Sequence, residues 1–143
     1  MHLEKCFDVK QERDVAVAAV ATEDTILTLF SDAKTEIVER DGDRLTVRMH
    51  YTALGREGET IFHFTFLLDG GVAFEKVCDG NVWRRLRGTV SFEERGSGTR
   101  VQIEMDGATK TLVPELTIRG PMKDQIQQMA AALRERIESA GRT

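Results

Sequence analysis

The sequence has 143 residues, of which 41% are hydrophobic and 31% charged, and a formal net charge of −4 at pH 7. This length and composition predict one soluble globular domain over residues 1–143. The acidic charge balance argues against nucleic acid as a partner. No apolar run approaches the ~18 residues that a membrane span needs, so stable membrane insertion is not expected.

The beginning of the chain and its two cysteines predict a cytoplasmic protein. The stretch MHLEKCFDVK carries charges where a secretion signal has its apolar region. Cys6 and Cys78 lack CxxC or CxxH spacing, which favours reduced thiols over a disulfide or a metal site.

The first part of the chain predicts one strand and one or two helices. Residues 2–10 alternate between apolar and polar side chains, as in an amphipathic strand. Residues 12–31 are rich in Ala and Leu and contain no Gly or Pro, so one or two short helices are expected there. Thr22, followed by two acidic residues, is a suitable start for the second helix.

The middle of the chain, residues 34–106, predicts an antiparallel meander. Turn sequences occur at residues 40–43, 55–58, 69–71, 79–81 and 95–98. If the loop at 55–58 has four residues, apolar side chains pair across the hairpin: Tyr51 with Phe62, Met49 with Phe64, Val47 with Phe66 and Leu45 with Leu68. A loop at 95–98 likewise predicts two pairs: Phe92 with Val101 and Val90 with Ile103.

The last element is predicted to be a long amphipathic helix. Pro121 is expected in its first turn, where the missing N–H is not needed, and Gly141 follows its end. Apolar residues recur at spacings of four, three, four and four: Met122, Ile126, Met129, Leu133 and Ile137. This helix is the only predicted element long enough to cover the apolar face of the sheet.

Two adjacent stretches carry a family resemblance: GTVSFEERGSGTRVQIEMDG at 88–107 and GPMKDQIQQMAAALRERIES at 120–139. With the order of elements, they make the chain similar to the START-like helix-grip (SRPBCC) superfamily. Within it, the chain most resembles polyketide cyclase/dehydrase-like proteins and the helix-grip proteins associated with carbon monoxide dehydrogenase. The resemblance implies an α+β fold in which an antiparallel curved sheet of six to seven strands wraps a long C-terminal helix. It also implies a cavity between sheet and helix that holds a small hydrophobic molecule, without a cofactor.

The candidate ligand-binding side chains lie on the predicted inner sheet face and on the facing helix stripe. Phenylalanine and methionine provide large, adaptable apolar walls. Tyr51 is either a hydrogen-bond donor to a ligand oxygen or a core aromatic whose hydroxyl meets water. The candidates are Tyr51, Phe62, Phe64, Phe66, Phe74, Lys76, Arg84, Leu86, Phe92, Met105, Met122, Ile126, Met129 and Leu133.

The charged candidates depend on the register of residues 72–78. A three-residue loop at 69–71, with Gly71 at positive φ, would align two pairs: Phe64 with Lys76 and Phe66 with Phe74. A further three-residue loop at 79–81 would set Lys76 beside Arg84, two cations suited to an anionic ligand group. The alternative, which we favour, is a two-residue turn that pairs Glu75 with Arg84 and needs no ligand.

The remaining polar patterns predict no catalytic or metal-binding residue. His50 and His63 would face each other on the solvent side of their hairpin, where we interpret them as a solvated pair. The stretch WRRLR at 83–87 is interpreted as a charged strand face, and no nucleophile–base pair is found.

The leading functional prediction is binding or transport of a lipid, quinone or polyketide-like compound by a monomer or homodimer. One alternative is a cyclase- or hydrolase-type enzyme that uses the same cavity. The other is a ligand-free protein-interaction module, in which the stretch TLVPELTI at 111–118 contacts a partner. The same stretch is alternatively a gate at the cavity entrance or a strand end that folds over the core.

Overall fold

The computed structural model describes residues 1–53, 56–78 and 82–140. The elements in chain order are β1 (His2–Val9), α1 (Arg13–Val20), α2 (Glu23–Leu27), β2 (Ala33–Asp41), β3 (Arg44–Ala53), β4 (Arg56–Phe66), β5 (Val72–Lys76), β6 (Trp83–Arg95), β7 (Gly98–Thr109) and α3 (Leu116–Ala140). The strands form one antiparallel curved sheet in the order β1-β7-β6-β5-β4-β3-β2, with β1 and β2 at its edges. The predicted α+β helix-grip fold is confirmed.

The first strand and the two short helices are found where the sequence predicts them. The hydroxyl of Thr22 caps α2 by accepting a hydrogen bond from the backbone N–H of Thr25 at 3.2 Å. Leu3, Phe7 and Val9 are the buried residues of β1, as expected for an amphipathic strand at the edge of a core.

The predicted register between β3 and β4 is wrong by four residues. The observed pairs are Leu45 with Phe64, Val47 with Phe62, Met49 with Thr60 and Tyr51 with Gly58. The predicted loop at 55–58 is too long, because Arg56 already pairs with Ala53 and residues 56–58 belong to β4. An even shift leaves every residue on its predicted face.

The same shift separates the two histidines. His50 lies opposite Glu59, and His63 lies opposite Thr46, so the prediction that the two imidazoles face each other is wrong. The hairpin at 95–98, in contrast, is confirmed: Phe92 pairs with Val101 and Val90 with Ile103. Pairing continues to Arg95 and Gly98, which places Gly96 in the turn with a φ of 60°.

The predicted pairing of β5 is wrong on both sides, against β4 and against β6. On one side, Phe64 pairs with Phe74 and Phe62 with Lys76, because the turn before β5 places Gly70, not Gly71, at a positive φ of 96°. On the other side, Glu75 pairs with Arg87, which neither predicted turn allows. The predicted turn at 79–81 lies outside the described residues.

A bulge in β6 changes which residue faces inward near Arg84. The register against β7 shifts between Trp83 and Arg85, so one extra residue is accommodated. Trp83 is buried beside Gly107, and Arg84 is exposed. The prediction that Arg84 faces the inside of the sheet is therefore not met.

The long helix begins earlier than predicted. It starts at Leu116, and Pro121 lies inside it, so the prediction that Pro121 occupies the first turn is wrong. The residue before a proline is pushed out of helical geometry by a clash with its Cβ, and Gly120 has no Cβ. Gly120 therefore lets the helix continue past Pro121.

The core lies between the inner face of the sheet, α1 and α3. The predicted apolar stripe of α3 is confirmed as buried: Met122, Ile126, Met129, Leu133 and Ile137. Within the described residues, the backbone of α3 approaches β1, β7 and α1 most closely. No helix of these ranges is both long and apolar enough to cross a membrane.

Candidate functional site

The inner face of β4 changes from apolar to polar toward the N-terminal end of the strand. Its inward positions are Phe66, Phe64, Phe62, Thr60 and Gly58, as their pairing with the inward residues of β3 and β5 shows. The ring of Phe64 lies 6.0 Å from that of Phe62 and 6.0 Å from that of Phe74 on β5. Three rings therefore form a continuous aromatic surface that ends at Thr60.

Burial along this surface is uneven. Phe64 and Phe74 are only 2% and 4% exposed, but Phe62 and Phe66 remain half-buried on the same face. The reason is the position of α3, whose closest approaches are to β1, β7 and α1 rather than to β3, β4 or β5. Part of the aromatic surface is therefore left accessible.

The other apolar candidates are packed in the core. Leu86, Met105 and the four candidate residues of α3 are all buried, and Phe92 is half-buried. The four helix residues are Met122, Ile126, Met129 and Leu133. The buried ones belong to the same hydrophobic core as Phe64 and Phe74, and Phe92 packs against that core.

Lys76 is the charged group at the polar end of this surface. It lies opposite Phe62 at the end of β5, and its side chain is half-buried. Burial lowers the pKa of Lys76, and the nearby Cys78 opposes this effect. Among the described residues, no carboxylate forms an ion pair with it.

Buried hydroxyl groups without partners lie on the same face. Thr35 on β2 and Thr60 on β4 both lie level with Met49, one on each side of it. The Oγ1 atoms of both threonines are buried and have no hydrogen-bond partner in the described part of the chain. Thr60 is not among the residues predicted from the sequence, although its position two residues before Phe62 is a signal that it shares the face.

Tyr51 lies at the outer end of this face and packs against Gly58. Its side chain is 41% exposed, so it forms a rim rather than an interior wall. A groove of about 690 Å³ lies beside it on the outer face, and its walls include Lys34, Glu36 and Glu57. The exposed ring of Tyr51 therefore marks the end of the inner face that reaches solvent.

The opposite end of the inner face is closed by α1. Arg13 donates hydrogen bonds to the carbonyl oxygens of Asp69, in the turn before β5, and of Phe92. Val17 contacts Gly70 in the same turn so closely that a Cβ at Gly70 would lie 2.9 Å from Val17. Arg13 is not among the residues predicted from the sequence, because nothing in its spacing shows this long-range contact.

The outer face carries a separate charged cluster. The imidazole of His50 lies 3.2 Å from carboxylate oxygens of both Glu36 and Glu59. Hydrogen bonds from His50 and Arg48 lower the pKa of Glu36. Among the described residues there is no group of three or more His, Cys, Asp or Glu side chains arranged to hold a metal ion.

The stretch after β7 exposes two leucines. Leu112 and Leu116 are 94% and 86% exposed, whereas Ile118 packs against the core. Thr109 closes the turn by donating a hydrogen bond to the carbonyl oxygen of Val113 at 2.8 Å. Contact with a protein partner through this stretch stays a prediction.

Comparison with known proteins identifies the fold. The sequence matches no family model and no curated protein. The structure resembles the Zhui aromatase/cyclase from Streptomyces sp. R1128, with a TM-score of 0.76, 15% identity and coverage of 99% of this chain and 94% of that one. A START superfamily protein from Mycobacterium smegmatis is similar with a TM-score of 0.75 and 17% identity, over 96% of this chain and 97% of that one. A STAR-related lipid transfer protein from Xanthomonas axonopodis is similar with a TM-score of 0.67 and 16% identity, over 96% of this chain and 85% of that one. The chain thus has the START-like helix-grip (SRPBCC) fold.

Proposed function

We propose that the protein binds or transports a small hydrophobic molecule between the inner face of the sheet and α3. The observation that carries this proposal is the half-buried state of Phe62 and Phe66. Both face the inside of the sheet, and both leave aromatic area uncovered by α3. Apolar area that is removed from water by a ligand stabilises the complex by roughly 25 cal/mol per Å² before the cost of association.

The comparison proteins support the same proposal. One is described as an aromatase/cyclase and another as a lipid transfer protein, and both names concern apolar or aromatic molecules. The ligand-binding roles of Phe62, Phe64, Phe66, Phe74 and Phe92 in this chain remain a proposal. So do the roles of Leu86, Met105, Met122, Ile126, Met129 and Leu133.

Titration with Nile red, an uncharged apolar dye, tests this proposal. Saturable enhancement of its emission and a rise in Tm are expected, since a ligand that binds only the folded state stabilises it. Trp83, the only tryptophan, is buried beside Gly107 and provides a second signal through energy transfer to the dye.

A matched pair of variants locates the dye. Phe62→Ala removes an inward aromatic wall and is expected to weaken Nile red binding about tenfold, equivalent to about 1.4 kcal/mol. Ile61→Ala, at the adjacent half-buried position on the outer face, is the control and should leave the affinity unchanged. No saturable binding by the wild type, or equal losses in both variants, would contradict the proposal.

A cyclase- or hydrolase-type enzyme that uses the same space is the second candidate. It is favoured by Lys76, a titratable group on the inner face whose pKa is lowered by burial. A lowered pKa increases the fraction of neutral amine that can act as a base. Mass spectrometry of a linear poly-β-keto thioester incubated with wild type and Lys76→Met tests this. Cyclised product from the wild type alone supports it, and product from neither protein contradicts it.

A further inference from the structure

We propose that the ligand is an amphipathic carboxylate whose anionic group is bound by Lys76 and Thr60, with its apolar body on the phenylalanine surface. This inference rests on the proposed function and specifies the chemical class of the ligand. Four observations on the inner face carry it: the change in polarity along β4, the lack of a counter-charge for Lys76, the unpaired hydroxyl of Thr60, and the number of cations at this end.

The gradient along β4 gives a ligand one preferred direction. Phe66, Phe64 and Phe62 are followed on the same face by Thr60, and Lys76 lies opposite Phe62. The apolar body of a ligand is favoured over these phenylalanines of β4, because this placement removes the most apolar surface from water. A polar group on the same molecule then lies at the Thr60 and Lys76 end, where the face opens toward Tyr51.

The cation at this end lacks a counter-charge. A half-buried ammonium group loses part of its hydration, and this loss is offset only when an anion or hydrogen-bond acceptors replace the water. Within the described ranges, no carboxylate is paired with Lys76. A ligand carboxylate would supply the missing charge in surroundings where Coulomb attraction is stronger than in water.

Thr60 supplies a hydrogen-bond donor to the same group. Its buried Oγ1 has no partner among the described residues, and a hydroxyl left unpaired in the interior costs free energy. Lys76 pairs with Phe62, and Thr60 lies two residues before Phe62 on β4. Thr60 and Lys76 are therefore diagonal neighbours on one face. Diagonal positions are roughly 7–8 Å apart at the backbone, within reach of a long side chain. A carboxylate has two oxygens and can accept from both groups at once.

The number of charges selects a carboxylate over a phosphate monoester. Among the described side chains, Lys76 is the cation that the inner face presents here, because Arg84, the second cation that the sequence suggested, is exposed in the bulge of β6. One ammonium group neutralises a carboxylate but leaves a phosphate monoester, with a charge of about −1.5 to −2 at pH 7, partly uncompensated.

Displacement of Nile red by two ligands with the same apolar body tests the proposal. Dodecanoate carries the anionic group, and its methyl ester lacks it. The wild type is expected to bind dodecanoate at least about tenfold more tightly than the ester. Dodecyl phosphate is included to compare the two anionic groups and should bind more weakly than dodecanoate.

Three variants assign the preference to its residues. Lys76→Met should bring the two affinities within about twofold of each other, and Lys76→Arg, which keeps the charge, should retain the preference. Thr60→Val removes the hydroxyl at similar volume and should weaken dodecanoate binding several-fold while leaving ester binding unchanged. Lys5→Met, at an exposed position of β1, is the control and should keep the wild-type preference. Circular dichroism and Tm verify that each variant is folded.

The outcomes separate this inference from the proposed function. If Nile red does not bind the wild type, the proposed function fails. If Nile red binds but the wild type does not distinguish acid from ester, or Lys76→Met keeps the preference, the carboxylate proposal alone is overturned. If Lys76→Met does not fold, the other two variants are decisive. A smaller preference in Thr60→Val, with the preference kept in Lys76→Arg, supports the proposal, and an unchanged preference in Thr60→Val or its loss in Lys76→Arg overturns it.

Discussion

Phe74 lies directly against Gly88 in the neighbouring strand, and the absence of a side chain there makes this contact possible. A Cβ atom at Gly88 would lie 2.4 Å from the Phe74 Cζ atom and 2.3 Å from the Glu104 carbonyl oxygen. The two residues are direct partners in the β5–β6 pairing. Gly88 therefore supports the position of the aromatic ring that joins β5 to the phenylalanines of β4.

The Gly88→Ala variant is expected to lower the free energy of unfolding by about 1–3 kcal/mol, because the new methyl group meets backbone as well as a buried ring. Gly58→Ala is the matched control. Its Cβ would meet only the end of the Tyr51 ring, which is partly exposed and can turn away. Urea denaturation measures both, and a larger loss in Gly58→Ala would contradict the packing described for Phe74.

The Pro121→Ala variant is expected to raise the free energy of unfolding by about 1–3 kcal/mol, because a proline inside a helix removes one hydrogen bond and clashes with the preceding turn. Pro114→Ala, just before α3, is the control and should change stability by less than about 1 kcal/mol. Thermal and urea unfolding measure the effect. No gain for Pro121→Ala would indicate that the helix effectively begins at residue 121, as the sequence pattern suggested.

Stability should depend on the titration of Lys76. Burial lowers the pKa of Lys76 in the folded state below the unfolded value of about 10.4, so the unfolded chain binds this proton more tightly. The destabilising contribution is therefore complete below the folded pKa and is relieved as the pH rises toward the unfolded pKa. Urea denaturation at a series of alkaline pH values should show the advantage of Lys76→Met over wild type shrinking with pH. A constant difference would contradict this account.

Thr25 connects α2 to the long helix through buried hydrogen bonds. Its Oγ1 donates to the carbonyl oxygen of Ala19 at 2.6 Å, and it accepts from the Oγ1 of Thr22 at 3.0 Å and from the Nε of Arg136 at 3.1 Å. Thr25→Val keeps the shape but removes all three bonds, at an expected cost of about 1–3 kcal/mol. Thr28→Val, at an exposed position of the same segment, is the control. Hydrogen exchange should show α2 opening more often in Thr25→Val, and equal exchange in both variants would contradict the role of Thr25.

The fold could be predicted from the sequence because its signals are independent of register. Alternating side chains in the strands and the stripe of α3 identify each element and its buried face. Phe62, Phe64 and Phe66 are placed on the inner face by alternation alone. A shift by two or four residues preserves that face, so the pattern could not distinguish the predicted from the observed pairing of β3, β4 and β5.

The candidate site was harder to predict where single residues decide the geometry. Counting from Lys76 places Arg84 on the inner face in one of the two predicted registers. The bulge between Trp83 and Arg85 inserts one residue and exchanges the two sides of the strand. Thr60 is not among the predicted candidates because the sequence-based selection of wall residues favours large apolar side chains. The bulge does not follow from hydrophobic periodicity, since it depends on how the backbone is accommodated by its neighbours, whereas the face of Thr60 does follow from alternation.

The edge strand β2 has a consequence for association between copies of the chain. Its pairing with β3 slips between Ile37 and Glu39, and charged side chains follow at Glu39, Arg40 and Asp41. Irregular, charged borders resist the addition of foreign strands, which otherwise leads to fibrils or uncontrolled polymerisation. The edge strand β2 therefore disfavours edge-to-edge pairing between copies of the chain at high protein concentration.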